Sequence, residues 1–215
     1  MLKSGPFQGP GRMATSTPDK KLTEADWIRA ATQILVRKSI EHVRVEPLAK
    51  ELGVTKGSFY YHFRDREALL TEILNGWAER ATVNLIERID STQPDPIARL
   101  RSVLDLPRRS RSAAQGGEIE VAIRAWARRA PLARKAVNRV DELRLEYFQR
   151  LLVEAGLDAE TARTRAFLAY AYVQFAAQLK SGDDSEYEAR LEEALRLLTT
   201  AAPSSAAMPR TARSR

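Results

Sequence analysis

"GVTKGSFYYHFRDREALL", residues 53–70, sets Phe59 and Phe63 four apart, with Lys56, Tyr60, Tyr61, His62 and Arg64 around them. On a helix, residues four apart share a face. Phe59 and Phe63 therefore turn one way, and Lys56, Gly57, Tyr60, Tyr61 and Arg64 the other. A helix buried all round would not set a lysine and an arginine beside two tyrosines. Outward phenols can bond phosphate oxygens, and their rings can lie on sugar or on a thymine methyl. Gly57 and Ser58 are small enough for the start of the helix to approach another surface closely, and a helix N-terminus favours phosphate.

The residues before it supply the rest of a unit. A short helix is expected over 45–52, with Pro47 tolerable in its first turn and Gly53 stopping it. The next helix covers 56–63, with Thr55 or a neighbour as its cap. Short helix, glycine turn, short helix is the helix-turn-helix order, whose second helix enters the major groove. Catalysis is not supported. The two histidines, His42 and His62, fall on different elements, there is no cysteine, and no nucleophile elbow, phosphate loop or zinc-protease motif occurs. No catalytic residue, metal site or cofactor is expected, and the chain reads as a non-enzyme.

Helical period runs through nearly all the remaining sequence, and no strand alternation is sustained. The first helix opens at Thr23 with Asp26 three residues on, a capping box, and Leu22 and Trp27 can form the hydrophobic staple. Asp65 caps a long fourth helix with the stripe Leu69, Leu70, Ile73, Leu74, Trp77, Ala81, Leu85 and Ile89. Asp95 and Pro96 start a fifth that ends before Pro107. "PRRSRSAAQGG", 107–117, is an expected loop. Helices follow over 118–129, 132–155, 159–180 and 186–201, the last with Ser185 and Glu188 as a capping box. The fold class is all-α, about nine helices.

The net charge of +7 is concentrated in the ends. Residues 1–21 carry Lys3, Arg12, Lys20 and Lys21 against Asp19, and residues 203–215 carry Arg210, Arg213 and Arg215, so the middle is nearly balanced. Both ends are expected to be disordered: either solubilising tails or, for 1–21, a basic arm along phosphates. No apolar run reaches the ~18 residues of a membrane helix and no signal-peptide core is present, so the cytoplasm is the expected compartment, with no membrane partner.

"RVEPLAKELGVTKGSFYYHFRDREALL", residues 44–70, strongly resembles the DNA-binding domain of the tetracycline-repressor (TetR) family. The pattern L-A-x-x-L-G-V-x-x-G-S/T-x-Y-x-H-F is filled by Leu48, Ala49, Leu52, Gly53, Val54, Gly57, Ser58, Tyr60, His62 and Phe63. The likeness covers roughly residues 20–90, and "AIRAWARRAP", 122–131, looks like a helix of the ligand-binding half of some members. It implies a sequence-specific, dimeric, ligand-released repressor on palindromic double-stranded DNA, bacterial, cytoplasmic and nucleoid-associated when bound. It implies DNA contacts by Lys56, Gly57, Ser58, Tyr60, Tyr61 and His62, with Lys56 and Tyr61 toward the groove and Tyr60 and His62 toward phosphates. Thr55 would cap the recognition helix and reach a phosphate. Two positions depart from the pattern: Ser39 where glycine is common, and Arg44 where Ser or Thr caps the second helix. Arg44 cannot cap as a hydroxyl does; it either points at the DNA backbone or is solvated.

The implied organisation is a basic arm (1–21), a helix-turn-helix domain (22–64), a ligand-binding and dimerisation body (65–202) and a tail (203–215). On 159–180 the small face, Ala162, Ala166, Ala169, Val173, Ala176 and Ala177, suits close approach by a second chain, and Phe167, Leu168, Ala171 and Phe175 suit the chain's own core. Leu191, Leu195 and Leu198 of the last helix would complete a homodimer interface. Trp77, Leu104, Ile123, Trp126, Tyr147, Phe148 and Tyr170 either line a ligand cavity or are core. No buried cluster of charge stands out, which favours an apolar or aromatic small molecule. The second reading is a non-enzymatic helical interaction protein with non-specific DNA binding.

Overall fold

The computed structural model describes residues 22–108, 111–176, 179 and 183–200. Both tails, with Lys20 and Lys21, lie outside them, as does Ala177. Every regular element among the described residues is helical: α1 (Glu24–Arg37), a 3-10 turn (Ile40–His42), α2 (Val45–Glu51), α3 (Lys56–His62), α4 (Arg66–Ala78), a π turn (Glu79–Val83), α5 (Asn84–Thr92), α6 (Pro96–Leu104), α7 (Arg111–Ala127), α8 (Pro131–Glu154), α9 (Ala159–Ala176) and α10 (Asp184–Thr199). α4, the π turn and α5 run on without a break and form the expected fourth helix.

The boundaries follow local chemistry. Thr23 and Asp26 form the expected capping box on α1, Asp65 accepts from the Ala68 amide, and Asp95 does the same for Ala98 with Pro96 in the first turn. α2 closes on Gly53 at φ +71°, a backbone state that side chains resist. There the Gly53 amide donates to the Lys50 carbonyl and the Val54 amide to that of Ala49, which satisfies the last carbonyls of α2. Gly156, at φ +98°, ends α8 in the same way.

Two boundaries differ from expectation. α7 begins at Arg111 and passes through Gly116 and Gly117, where a loop was expected. Each glycine costs about 1 kcal/mol against alanine in a helix, and the downstream packing of Ile123 and Trp126 outweighs that. α10 is capped by Asp183, which accepts from the Glu186 amide, rather than by Ser185. Two aspartates precede that serine, and an aspartate caps as well as a serine does.

Two buried clusters hold the chain. The first joins α1–α4 (Trp27, Leu35, Leu48, Phe59, Phe63, Leu70, Trp77) to the α7–α8 corner (Ile123, Trp126, Ala133, Val137, Val140). The second joins α5 and α6 to the far half of α8 and to α9 and α10, around Leu100, Leu104, Phe148, Leu151 and Leu191. The α4–α5 helix serves both clusters, through Trp77 in the first and Ile89 in the second. α8 serves both as well, through Val137 and Val140 in the first cluster and Tyr147 and Phe148 in the second.

Candidate functional site

Phe59 and Phe63 anchor α3. Phe59 is fully buried, with its ring edge-on to Trp27 at 5.4 Å between centroids, and Phe63 lies 5.4 Å from Phe59. This fixes the roll of the helix, so the opposite face is presented outward. Tyr60 is 52% exposed and Tyr61 73%, large values for aromatic side chains. Lys56 and Gly57 are exposed with them, and Ser58 and His62 are half-buried at the edges of the face. The glycine leaves open space: a Cβ there would meet only the Thr55 hydroxyl, at 3.6 Å.

Several contacts around this face were not legible in the sequence. Lys56 Nζ is 2.5 Å from Glu46 Oε1 in the first turn of α2, and 6.0 Å from the centre of the Tyr60 ring. The hydrogen bond and the charge of Glu46 raise the Lys56 ammonium pKa further, so the cation is kept. Thr55 occupies the N-cap position of α3, but its hydroxyl makes no capping hydrogen bond, contrary to expectation. Arg44 likewise does not cap α2. Its Nε donates to the Glu41 carbonyl at 2.9 Å, so it is neither simply solvated nor aimed only outward. Ser39 shares a 2.9 Å hydrogen bond with His42 Nδ1. Arg66, at the start of α4, donates Nη2 to the Ile40 carbonyl at 2.7 Å and Nε to that of Val43. It thereby ties the turn before α2 to the helix after α3.

A cleft of about 2010 Å³ opens between the end of α1, the π turn and α5–α9. Trp77, Trp126, Tyr147, Phe148 and Tyr170 border it and belong at the same time to the buried clusters. Leu104 and Ile123 do not border it: both are fully buried in the two clusters. A partly buried cluster of charge stands beside the aromatic side chains, which the sequence did not bring out. Arg144 forms a two-pronged pair with Glu120 (2.9 and 3.0 Å), and Arg124 pairs with Asp141 at 2.5 Å and with Glu120 at 2.8 Å. The Tyr170 hydroxyl donates to Asp141. Two carboxylates thus face two guanidiniums. Burial pushes the Glu120 carboxyl up, but the arginines outweigh it and hold it below its usual range. Burial pushes the Tyr170 phenol up to about 12. Glu120 and Arg124 stand four apart on α7 and Asp141 and Arg144 three apart on α8, but which helices meet is a tertiary fact and no sequence spacing reports it.

The expected division of α9 is reversed. Ala162, Ala166 and Ala169 are buried within the chain's own core, and Val173 and Ala176 are partly covered. Leu191, Leu195 and Leu198 of α10 are buried there too. Small side chains allow α9 to lie close against the chain's own neighbouring helices, and Ala162, Ala166 and Ala169 are covered there by the chain itself. What remains outside is the bulky face: Phe167 (63% exposed), Leu168 and Phe175; Leu179, after α9, and Leu197, on α10, are exposed as well.

Compared with known proteins, residues 28–73 match the family described as bacterial regulatory proteins, tetR family. A curated relative is the HTH-type transcriptional regulator EthR of Mycolicibacterium smegmatis, 25% identical over 106 residues, 49% of each chain. The match therefore spans about half the length of that relative. Among solved structures, a transcriptional regulator from Rhodococcus sp. Rha1 shares the fold at TM-score 0.63 and 20% identity, covering 83% of this chain and 94% of its own. AibR, solved in complex with isovaleryl coenzyme A and operator DNA, aligns at TM-score 0.57 and 16% identity over 82% of this chain and 97% of its own. The matched segment contains α2, the Gly53 turn and α3 with the exposed tyrosine face, and the solved structures share the fold of the helical body: residues 28–73 carry the segment typical of the TetR family of bacterial regulatory proteins.

Proposed function

We propose that the protein is a homodimeric transcriptional repressor that binds a palindromic double-stranded operator and releases it when a small molecule enters the cleft. The observation that carries the reading is α3 itself: its phenylalanines are buried, and its two tyrosines and lysine are exposed on the opposite face. In the cytoplasm that face would enter the major groove, with Lys56 and Tyr61 over base edges and Tyr60 and His62 against phosphates. Gly57 allows close approach, Ser58 and Thr55 offer hydroxyls, and Arg44 adds charge at the rim. The occupant proposed for the bulky face of α9 is a second copy of this chain. A two-fold pair would set two reading helices about one DNA turn, ~34–36 Å, apart. Because Glu120, Arg124, Asp141 and Arg144 are paired with one another beside the aromatic wall, the ligand is proposed to be uncharged, with an apolar or aromatic body against Trp77, Trp126 and Phe148.

Binding to DNA upstream of the protein's own coding sequence, with scrambled competitor present, tests this. Wild-type protein is expected to bind specifically, and Tyr61→Ala to lose that specificity with its thermal stability unchanged. Uniform weak binding to every sequence would favour a helical interaction protein over a repressor.

A further inference from the structure

We infer that the α7–α8 corner is a second DNA-backbone contact, placed to grip phosphates of the duplex flanking the bases that α3 reads; this rests on the DNA-binding reading above. Arg128, Arg129, Arg134, Lys135 and Arg139 lie within twelve residues there, and all five are exposed. The excess of positive charge is not spent on the fold. Arg128 and Lys135 have no side-chain partner among the described residues. Arg139 meets Glu142 only at 4.0 Å, and Arg129, 85% exposed, meets Glu41 only at 3.9 Å. Such loose surface pairs contribute little stability. Arg134 alone serves the fold, since its Nε and Nη2 donate to the Ala127 and Arg128 carbonyls at the end of α7. That fixes the corner and leaves the other four cations exposed, Arg128 and Arg129 at the rim of the cleft.

The position of the corner selects the partner. Arg129 approaches Glu41, whose carbonyl accepts from Arg44, the residue just before α2. Glu46, in the first turn of α2, holds Lys56, in the first turn of α3. A line of contacts thus runs from the reading helix across the start of α2 to the corner, and the shared buried cluster of α1–α4 with Trp126, Ala133 and Val137 keeps the corner fixed against the reading unit. A cationic surface on the rim of a groove-binding unit meets the flanking phosphates, which carry no sequence information but supply affinity and salt dependence. An acidic protein or an anionic bilayer would not require the patch to be docked on the reading unit.

The test compares the full chain with R128A/R129A on two random-sequence duplexes, one of ~20 base pairs and one extended by about a helical turn on each side. Both side chains are exposed, so the variant should fold as the parent does, which circular dichroism checks. On the extended duplex the slope of log affinity against log salt should fall by roughly 1.8 for each protomer engaged. On the short duplex it should stay near the wild-type value. Equal slopes for variant and parent on the extended duplex overturn the corner while leaving the DNA reading intact. Binding of the parent to phosphatidylglycerol vesicles that is lost in the variant, with DNA binding unaltered, overturns it in favour of a membrane. A parent that binds neither duplex overturns the DNA reading and the corner with it. R128K/R129K should restore the slope if charge is what acts.

Discussion

Arg144 donates from Nε to Thr82 Oγ1 at 3.1 Å, at the level where both long helices pass from one core to the other. Below this contact Trp77 and Val140 belong to the first cluster, and above it Leu85 and Tyr147 belong with the second. The same guanidinium donates Nη2 to the Ala81 carbonyl at 3.2 Å. Both acceptors lie in the π turn, where the α-helical hydrogen-bond ladder is interrupted; such turns frequently mark functional sites. The remaining donors go to Glu120 and Tyr170, so all five N–H groups of Arg144 are used.

Glu120 is therefore expected to matter for folding. Glu120→Ala leaves a mostly buried guanidinium without its carboxylate, a change that costs about 3–5 kcal/mol when a buried pair is broken. Thermal melts at neutral pH read this directly. The pH dependence has a definite sign. A carboxyl held below its usual range contributes stability that is present above the unfolded value, about 4.3, and is lost as pH falls through the folded one. Acid melts of wild type should steepen below that point, and those of Glu120→Gln should be flatter there. Parallel acid profiles would show that the pair adds nothing.

At the reading helix the prediction concerns a restraint. Lys56 is held by Glu46, so a phosphate must either share the ammonium or displace the carboxylate. Glu46→Gln frees Lys56 and removes a negative charge from a surface proposed to meet DNA. Tighter binding to all sequences is expected, with the salt slope steeper by about 0.9 if one new phosphate contact forms. Salt titration against random duplex measures it, and weaker binding would mean that Glu46 positions Lys56 for a base.

The bulky face of α9 gives the third prediction. Phe167→Glu with Phe175→Glu should leave each chain folded, because both side chains stand in solvent in the single chain. It should abolish the dimer, since a standard interface buries roughly 800 Å² on each partner and charge is depleted from its centre. Sedimentation at matched concentrations decides it: a persistent dimer would place the interface elsewhere.

The all-helical class and the caps at Thr23, Asp65 and Asp95 were legible because each is set by a residue or its close neighbours in sequence. The two faces of α3 were legible for the same reason, since Phe59 and Phe63 separate from Tyr60 and Tyr61 by helical period alone. The faces of α9 were not. Both are apolar, and which one turns inward depends on what α8 and α10 present, so size was a misleading guide. The Glu120–Arg144 pair was hidden because its members belong to different helices. Glu46 was hidden because its carboxylate reaches back across the Gly53 turn to Lys56. α7 began early because a run of serine, alanine and glycine records a helical cost but not the packing downstream that outweighs it.

The last prediction joins the cleft to the reading helix. A ligand can shift DNA affinity only by its differential affinity for two arrangements of the chain, and the Arg144–Thr82 contact lies where such arrangements would part. Arg144 and Thr82 line the cleft, and Thr82 lies on the helix that leads from α3 into the body. A molecule that pushes between α7 and the π turn would loosen Arg144 from Thr82 and let α4 turn relative to α8. Thr82→Val keeps the shape and removes the acceptor, which leaves one guanidinium N–H unpaired at a cost of about 1–3 kcal/mol. The variant should still fold and still bind both partners, but each should affect the other less. In wild type the coupling must be reciprocal: a ~100-fold release of DNA corresponds to about 2.7 kcal/mol and must appear as the same factor in ligand affinity. Titration of an uncharged lipophilic ligand with and without saturating DNA, in both proteins, measures the two factors. A factor unchanged by Thr82→Val would move the transmission away from this contact. Equal ligand affinity with and without DNA in wild type would leave a repressor whose cleft does not report to its reading helix.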